Sequence, residues 1–143
     1  MSRDMAASAD LALQAAIYAQ LAADSDVTAL VASRIYDNVP GDTGFPYIAL
    51  GEARVSDWSE GEIQGAEHWL VMHALSRGGG RAEVKAIMGA VQSALHEAAL
   101  TPDGHALVNL RFEQAETRRE PDGTTWRGTI RFRAVTEKLQ ETE

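Results

Sequence analysis

The stretch that decides the fold is RIYDNVPGDTGFPYIALG, residues 34–51. Apolar residues on its two sides predict short strands over residues 35–39 and from residue 47 to about residue 55. Four residues that favour loops lie between them: Pro40, Gly41, Asp42 and Gly44. A strand-loop-strand unit is common to many folds, so its neighbours along the chain must show which fold it belongs to.

Helical patterns flank this unit on both sides. The apolar residues of segment 10–23 predict a helix with one broad buried face, and Asp24, Ser25 and Asp26 offer an N-cap for a second short helix over residues 27–31. After the unit, Ser76-Arg77-Gly78-Gly79-Gly80 precedes the clearest amphipathic helix of the chain, from about Arg81 to Ala98. The glycines predict a flexible connection between a strand and this helix.

Three more strands are predicted. Residues 67–75 are apolar on both faces, which is typical of a central strand or of a strand that carries an interface. Before them, residues 56–65 are rich in Ser, Asp and Gly and predict a mobile hairpin tip or loop. The closing hairpin, residues 105–112 and 125–134, turns at residues 121–123 and has one apolar and one charged face.

The order of these elements predicts an α+β fold, with one mostly antiparallel β-sheet and helices packed on one of its faces. A chain of 143 residues has the size of one ordinary domain and can bury a core without disulfides or metals. Since neither a repeat nor a linker divides it, we expect a single domain over residues 1–143. The polar ends, residues 1–8 and 138–143, are expected to be flexible.

The composition of the chain excludes several kinds of function. The chain has no cysteine, which excludes a disulfide framework, a thiolate metal site and a cysteine nucleophile. No apolar run reaches the ~20 residues of a membrane span, and the first residues show no signal-peptide pattern, so we expect assembly in the cytoplasm without membrane contact. A formal net charge of -8 disfavours non-specific binding to nucleic acid.

Residues that commonly carry catalysis form no recognisable constellation. His68 and His73 are five residues apart on one predicted strand and therefore face opposite sides of the sheet, while His96 and His105 belong to other elements. The glycines of segment 78–80 lack the Lys-Ser/Thr pair of a P-loop. No serine has a histidine and a carboxylate placed to activate it. We therefore expect no enzymatic activity, no metal and no cofactor.

Six arginines crowd the closing hairpin: Arg111, Arg118, Arg119, Arg127, Arg131 and Arg133. Against the acidic remainder of the chain, such a basic face would fit the acidic face of a neighbouring subunit in a head-to-tail ring. The alternative is cross-strand pairing with Glu113, Glu116 and Glu120 within one sheet. Trp58, in the polar tip, is a further interface candidate that would dock another protein, unless it folds back over the sheet.

In this order and spacing, segments 34–40, 45–51 and 76–80, with the closing segment from Arg111 to Arg133, resemble the tail-completion, or tail-terminator, proteins of long-tailed bacteriophages. The chain is especially similar to the version found in gene transfer agents of alphaproteobacteria. This resemblance spans residues 10–136.

The resemblance implies a structural protein in the tail or neck of a virion. Such proteins form a ring, typically of six subunits, that caps the head-proximal end of the tail tube, stops its polymerisation and joins it to the head. The implied partners are further copies of the chain, the major tail tube protein and the head-tail connector or adaptor proteins. DNA would pass through the lumen without specific binding, for which an acidic wall is suitable.

Two alternatives stay open. One is another connector or neck subunit of the same kind of particle. The other, from a different class, is a small cytosolic ligand-binding or enzymatic α+β domain, with His68, His73 and the glycine segment as its site.

Overall fold

The computed structural model describes residues 5–78 and 80–140. The elements follow in the order α1 (Met5–Ala23), α2 (Ser25–Val31), β1 (Ile35–Tyr36), β2 (Tyr47–Asp57), β3 (Gly65–Ser76), α3 (Gly80–Leu95), β4 (His105–Arg119) and β5 (Trp126–Lys138). The five strands form one sheet in the order β1-β2-β3-β5-β4. Only β1 and β2 are parallel, so the predicted α+β fold with a mostly antiparallel sheet is confirmed.

The core lies between one face of this sheet and the three helices. Successive side chains of a strand point to opposite sides, so only alternate residues of β3 and β5 reach the helices. Those residues are buried: Leu70, Met72, Ala74, Ile130, Phe132 and Ala134. The helices contribute Leu13, Ile17, Leu21, Val27, Val31, Val84, Ile87 and Val91. Because β3 lies third in the sheet, the prediction that a strand apolar on both faces is central is confirmed.

The N-cap of α2 and the turn of the closing hairpin lie where they were predicted. The Asp24 carboxylate accepts hydrogen bonds from the backbone N–H groups of Asp26 and Val27, both at 3.0 Å, and thereby caps α2. The closing hairpin turns at Gly123, whose φ of 78° is easily adopted by glycine.

Several element boundaries differ from the predicted ones. β1 ends at Tyr36 rather than residue 39, because the chain bends at Asp37 and Asn38. α3 ends at Leu95 rather than residue 98. The residues that follow it bond to β4 instead: the Glu97 N–H donates to the Leu110 carbonyl at 2.7 Å.

The predicted tip of residues 56–65 is shorter and more regular than expected. β2 continues through Asp57 and β3 resumes at Gly65. Between them, Glu60 and Ile63 exchange two backbone hydrogen bonds of 2.9 Å, which close a tight turn.

The ends expected to be flexible lie partly outside the described residues, namely residues 1–4 and 141–143. Of the others, residues 5–8 form the first turn of α1, and Lys138 is the last residue of β5.

Candidate assembly surface

The face of the sheet turned away from the helices is the candidate functional surface, and we call it the open face. Residues of β2, β3, β5 and β4 alternate onto it, and no helix of the described chain lies on it. Its middle is formed by Trp69, Val71 and His73 of β3, which are half-buried. On the neighbouring strand β5, Arg131 lies opposite Val71 and Arg133 lies opposite Trp69.

Charge on the open face is balanced. Its arginines are Arg54, Arg111, Arg118, Arg127, Arg131 and Arg133. Its glutamates are Glu52, Glu67, Glu113, Glu116, Glu120 and Glu137. This face therefore carries no formal net charge although the whole chain carries -8, so the acidic excess lies on other surfaces.

Some of these charges pair across strands. The Arg127 Nε donates to Glu120 Oε1 at 2.9 Å, and the more exposed Arg118 places its Nε 3.5 Å from Glu120 Oε2. Arg133 forms an ion pair with Glu67 on β3. Pairing of the arginines with Glu120, one of the three glutamates predicted as partners, is thus confirmed. The partner of Arg133 is Glu67, which was not among those three.

Other open-face charges have no such partner. Among the described residues, Arg111, Arg131, Glu113 and Glu116 form no ion pair. They are therefore available to contact another molecule, and their interface role stays a prediction.

Arg119 lies apart from the other five arginines of the closing hairpin. Its register partner is Trp126, on the helix-covered side of the sheet. Its guanidinium carbon is 5.0 Å from the centroid of the Trp126 ring, and that of Arg81 is 4.7 Å from the same ring. The six arginines that the sequence grouped together thus belong to two different surfaces.

Trp58 lies at the end of the open face, next to the hairpin tip. Its ring centroid is 5.5 Å from the Arg133 guanidinium carbon, yet 51% of the residue remains exposed. Ile63, across the same tip, is 46% exposed. The tip therefore presents two apolar side chains to solvent while part of the indole packs against the sheet.

A groove of about 620 Å³ crosses the open face. Its floor includes Trp69 and Val71, and its sides include Arg54, Glu113 and Arg131. The Arg54 guanidinium carbon lies 4.5 Å from the Trp69 ring centroid, in cation–π contact. An apolar floor between charges of both signs is suited to contact with another protein, because it offers both burial of apolar area and ion pairing.

His68 and His73 lie on opposite faces of the sheet, as predicted from their spacing, and therefore do not share a site. His73 lies on the open face, with Nδ1 3.2 Å from the Thr129 hydroxyl. Burial, and then the positive charges of Arg127 and Arg131, lower the pKa of His73 below its usual 6.5. The imidazole is therefore neutral at neutral pH.

His68 lies on the opposite, helix-covered face and is fully buried. Its Nδ1 is 3.1 Å from Asp10 Oδ1 of α1, and its Nε2 is 2.9 Å from the Thr136 hydroxyl of β5. A Thr-His-Asp set is a familiar catalytic arrangement, but Thr136 is itself fully buried and presents no oxygen to a substrate. This cluster was not predicted, because its members are far apart along the chain.

Within residues 5–78 and 80–140, no three His, Asp or Glu side chains gather as metal ligands would. Over the same ranges, no helix combines the length and apolar character needed to cross a membrane. The glycine segment 78–80 includes residue 79, which lies outside the described residues.

Both edges of the sheet are partly unpaired. The outer side of β2 bonds to β1 only around Ile48 and Ala49. On the outer side of β4, Leu110 accepts from Glu97, and the Phe112 N–H donates to His96 Nδ1 at 3.0 Å. Within the described residues, no backbone hydrogen bond reaches the outer side of residues 51–57 or of residues 113–119. We call these two segments the β2 edge and the β4 edge.

Most of the chain is similar to known proteins in sequence and in fold. The family described as tail completion protein gp17 matches residues 15–137. Among solved structures, a chain of the virion of a native gene transfer agent (GTA) particle is 38% identical, with a TM-score of 0.85. That alignment covers 90% of this chain and 97% of the virion chain. No curated protein matches the sequence. Because the family match extends from α1 through β5, the chain belongs to the tail completion protein gp17 family.

Proposed function

We propose that this chain, a structural protein of a phage-like tail by its family, forms a ring on the head-proximal end of the tail tube. The ring ends polymerisation of the tube and offers the surface to which the head attaches. In this role the chain is a tail terminator with no enzymatic activity, and its partners are its own copies, the tube protein below and the connector proteins above. DNA passes through the lumen without specific binding.

The observation that carries this proposal is the nearly complete match to one chain of an assembled virion. The alignment covers 97% of that chain and 90% of this one, at 38% identity. The surfaces of this chain agree with an assembly role. It has two unpaired strand edges, an open face with charges of both signs, and a hairpin tip with two exposed apolar side chains.

The rival within the same class is a neck subunit that binds the adaptor on the head side and makes no contact with the tube. The two roles differ in the first partner bound. Purified chain mixed separately with preformed tail tubes and with head-tail connector complexes would distinguish them, since a terminator binds tube ends and a neck subunit does not.

Native mass spectrometry over a range of concentrations tests the ring directly. Six copies of the 15.5 kDa chain give an expected mass of about 93 kDa. If the chain is a monomer in solution, the same measurement is made on complexes released from capped tube ends, where a terminator must be oligomeric. Tubes of normal length, with heads attached, in particles lacking this chain would overturn the proposal.

A further inference from the structure

We propose that neighbouring copies join edge to edge, with the β4 edge of one copy pairing with the β2 edge of the next. The inference rests on the proposed ring and names the contact that would close it. The partner at each free edge is another copy of this chain, which adds one strand to the sheet there.

The first support is the pair of unsatisfied edges themselves. A strand edge presents unpaired N–H and C=O groups that act as a template for another strand. The β2 edge and the β4 edge lie on opposite sides of the same sheet, and each offers about seven residues, or roughly 23 Å of strand. Two different edges on one subunit give a heterologous contact, the kind that generates rings.

Strand direction is the second support. β2 is antiparallel to β3, β3 to β5, and β5 to β4, so β4 runs opposite to β2. Rotation about a ring axis along the strands leaves each strand direction unchanged. The β4 edge of one copy therefore meets the β2 edge of the next in an antiparallel arrangement, which continues the pattern of the sheet.

Charge complementarity selects a register. When Arg54 of the β2 edge lies opposite Glu116 of the β4 edge, antiparallel counting places Glu52 opposite Arg118. All four side chains belong to the open face, so each pair would lie on the same side of the joined sheet. Opposite charges directly across a strand pair stabilise it, and like charges destabilise it.

There is also space for an incoming strand. On its helix side the β4 edge borders a groove of about 500 Å³, which lies between Ala115 or Thr117 and the α3 residues Lys85 and Gln92. This groove leaves open space beside the edge, although the Thr117 hydroxyl still donates to the Met88 sulfur of α3 at 3.6 Å.

The geometry of a closed ring fixes which face is inside. With four long strands about 4.8 Å apart per copy, six copies close a circle about 115 Å around and about 37 Å across, before strand tilt widens it. A helix layer about 10 Å thick on the inner side would close most of that opening to DNA. The open face therefore lines the lumen, and its balanced charges give DNA a wall that is neutral in formal charge and not acidic as the overall charge suggested.

Disulfide cross-linking tests the contact, because the native chain has no cysteine. The double variant Arg54→Cys with Glu116→Cys places two thiols opposite each other only between copies. Within one copy the two positions are three strand spacings apart and also offset along the strands, so they are more than about 14 Å apart, which is too far for a disulfide. After oxidation of assembled rings or capped tubes, a non-reducing gel should show a ladder of covalent multimers ending at six.

Matched variants make the test specific. Arg54→Cys or Glu116→Cys alone should give no species above a dimer, because each copy then has one thiol. Arg54→Cys combined with Glu97→Cys should also give none, because Glu97 is exposed but lies outside the β4 edge. In addition, Arg54→Glu and Glu116→Arg should each lower the ring fraction at least several-fold, and the double exchange should restore it. Melting temperatures near the wild-type value show that the variants fold.

The outcomes separate this inference from the function it rests on. Rings that form normally, give no ladder and ignore the charge exchange would overturn edge pairing and leave the terminator role intact. Absence of any ring in solution and on tube ends would overturn the proposed function, and the edge contact with it.

Discussion

Arg133 of β5 and Glu67 of β3 form an ion pair that joins the two central strands on the open face. The Glu67 side chain is only 10% exposed and that of Arg133 is 26% exposed. Trp58 covers the guanidinium from the other side. An arginine held in this way contributes to the stability of the folded chain.

Arg133→Glu should lower the free energy of unfolding by about 2–4 kcal/mol, because it leaves Glu67 without its partner and adds a second carboxylate beside it. Arg131→Glu, at an exposed position with no ion pair among the described residues, should change stability by less than about 0.5 kcal/mol. Urea denaturation of both variants measures the difference. Equal effects would contradict the structural role of Arg133.

At Gly128 of β5, the Met88 side chain of α3 packs directly against the backbone of the sheet. A Cβ added there would collide with the Met88 side chain, so Gly128→Ala should destabilise the chain by about 1–3 kcal/mol. Gly89, the next residue of α3, is the matched control: a Cβ there meets nothing within 4 Å, and Gly89→Ala should stabilise the helix by about 0.5–1 kcal/mol. Thermal melts that shift in the same direction for both variants would refute this packing.

Asp122 organises the last turn. Its carboxylate accepts hydrogen bonds from the Thr125 hydroxyl and from the backbone N–H groups of Thr124 and Thr125, which hold the pKa of Asp122 well below its usual 3.8. A carboxyl group with a lowered folded-state pKa stabilises the fold above its unfolded-state pKa and loses that contribution as the pH falls through the acid range. The melting temperature of Asp122→Ala should therefore lie below wild type at pH 7, and the gap should narrow below about pH 4. A gap that stays constant down to pH 2 would argue against this role of the ionised carboxylate.

Trp58 should contribute more to head joining than to folding. Trp58→Ala removes one exposed aromatic and its contact with Arg133, which costs about 0.5–1 kcal/mol at an exposed site. We expect a clear fall in the fraction of tails that carry heads in electron micrographs. Trp58→Phe keeps an aromatic ring and should retain most joining. Unimpaired joining in the alanine variant would remove Trp58 from the interface.

Local signals explain which parts of the fold could be predicted from sequence. The cap at Asp24, the turn at Gly123 and the two-sided apolar pattern of β3 depend on neighbouring residues, so they were read correctly. β4 was predicted seven residues too short at its carboxyl end. A bulge after Phe112 interrupts the alternation that identifies a strand, so the pattern ends there although the strand continues.

The same bulge explains why the six arginines of the closing hairpin lie on two surfaces. Simple alternation from Arg111 places Arg119 on the same face, whereas the extra residue at the bulge shifts the phase and places Arg118 there. The ion pair between Arg133 and Glu67 joins residues 66 positions apart and depends on the register of β3 with β5. Strand register between distant segments was not available from the local pattern, and neither were the unpaired edges.

The buried cluster of Asp10, His68 and Thr136 has a consequence for the order in which the chain folds. His68 and Thr136 come together only when β3 and β5 have paired, and Asp10 is 58 residues from His68 along the chain. The polar contact of α1 can therefore form only on a sheet that already exists, even though the helix itself is local. We expect α1 to dock last, and its amides to exchange with solvent hydrogen before those of the central strands.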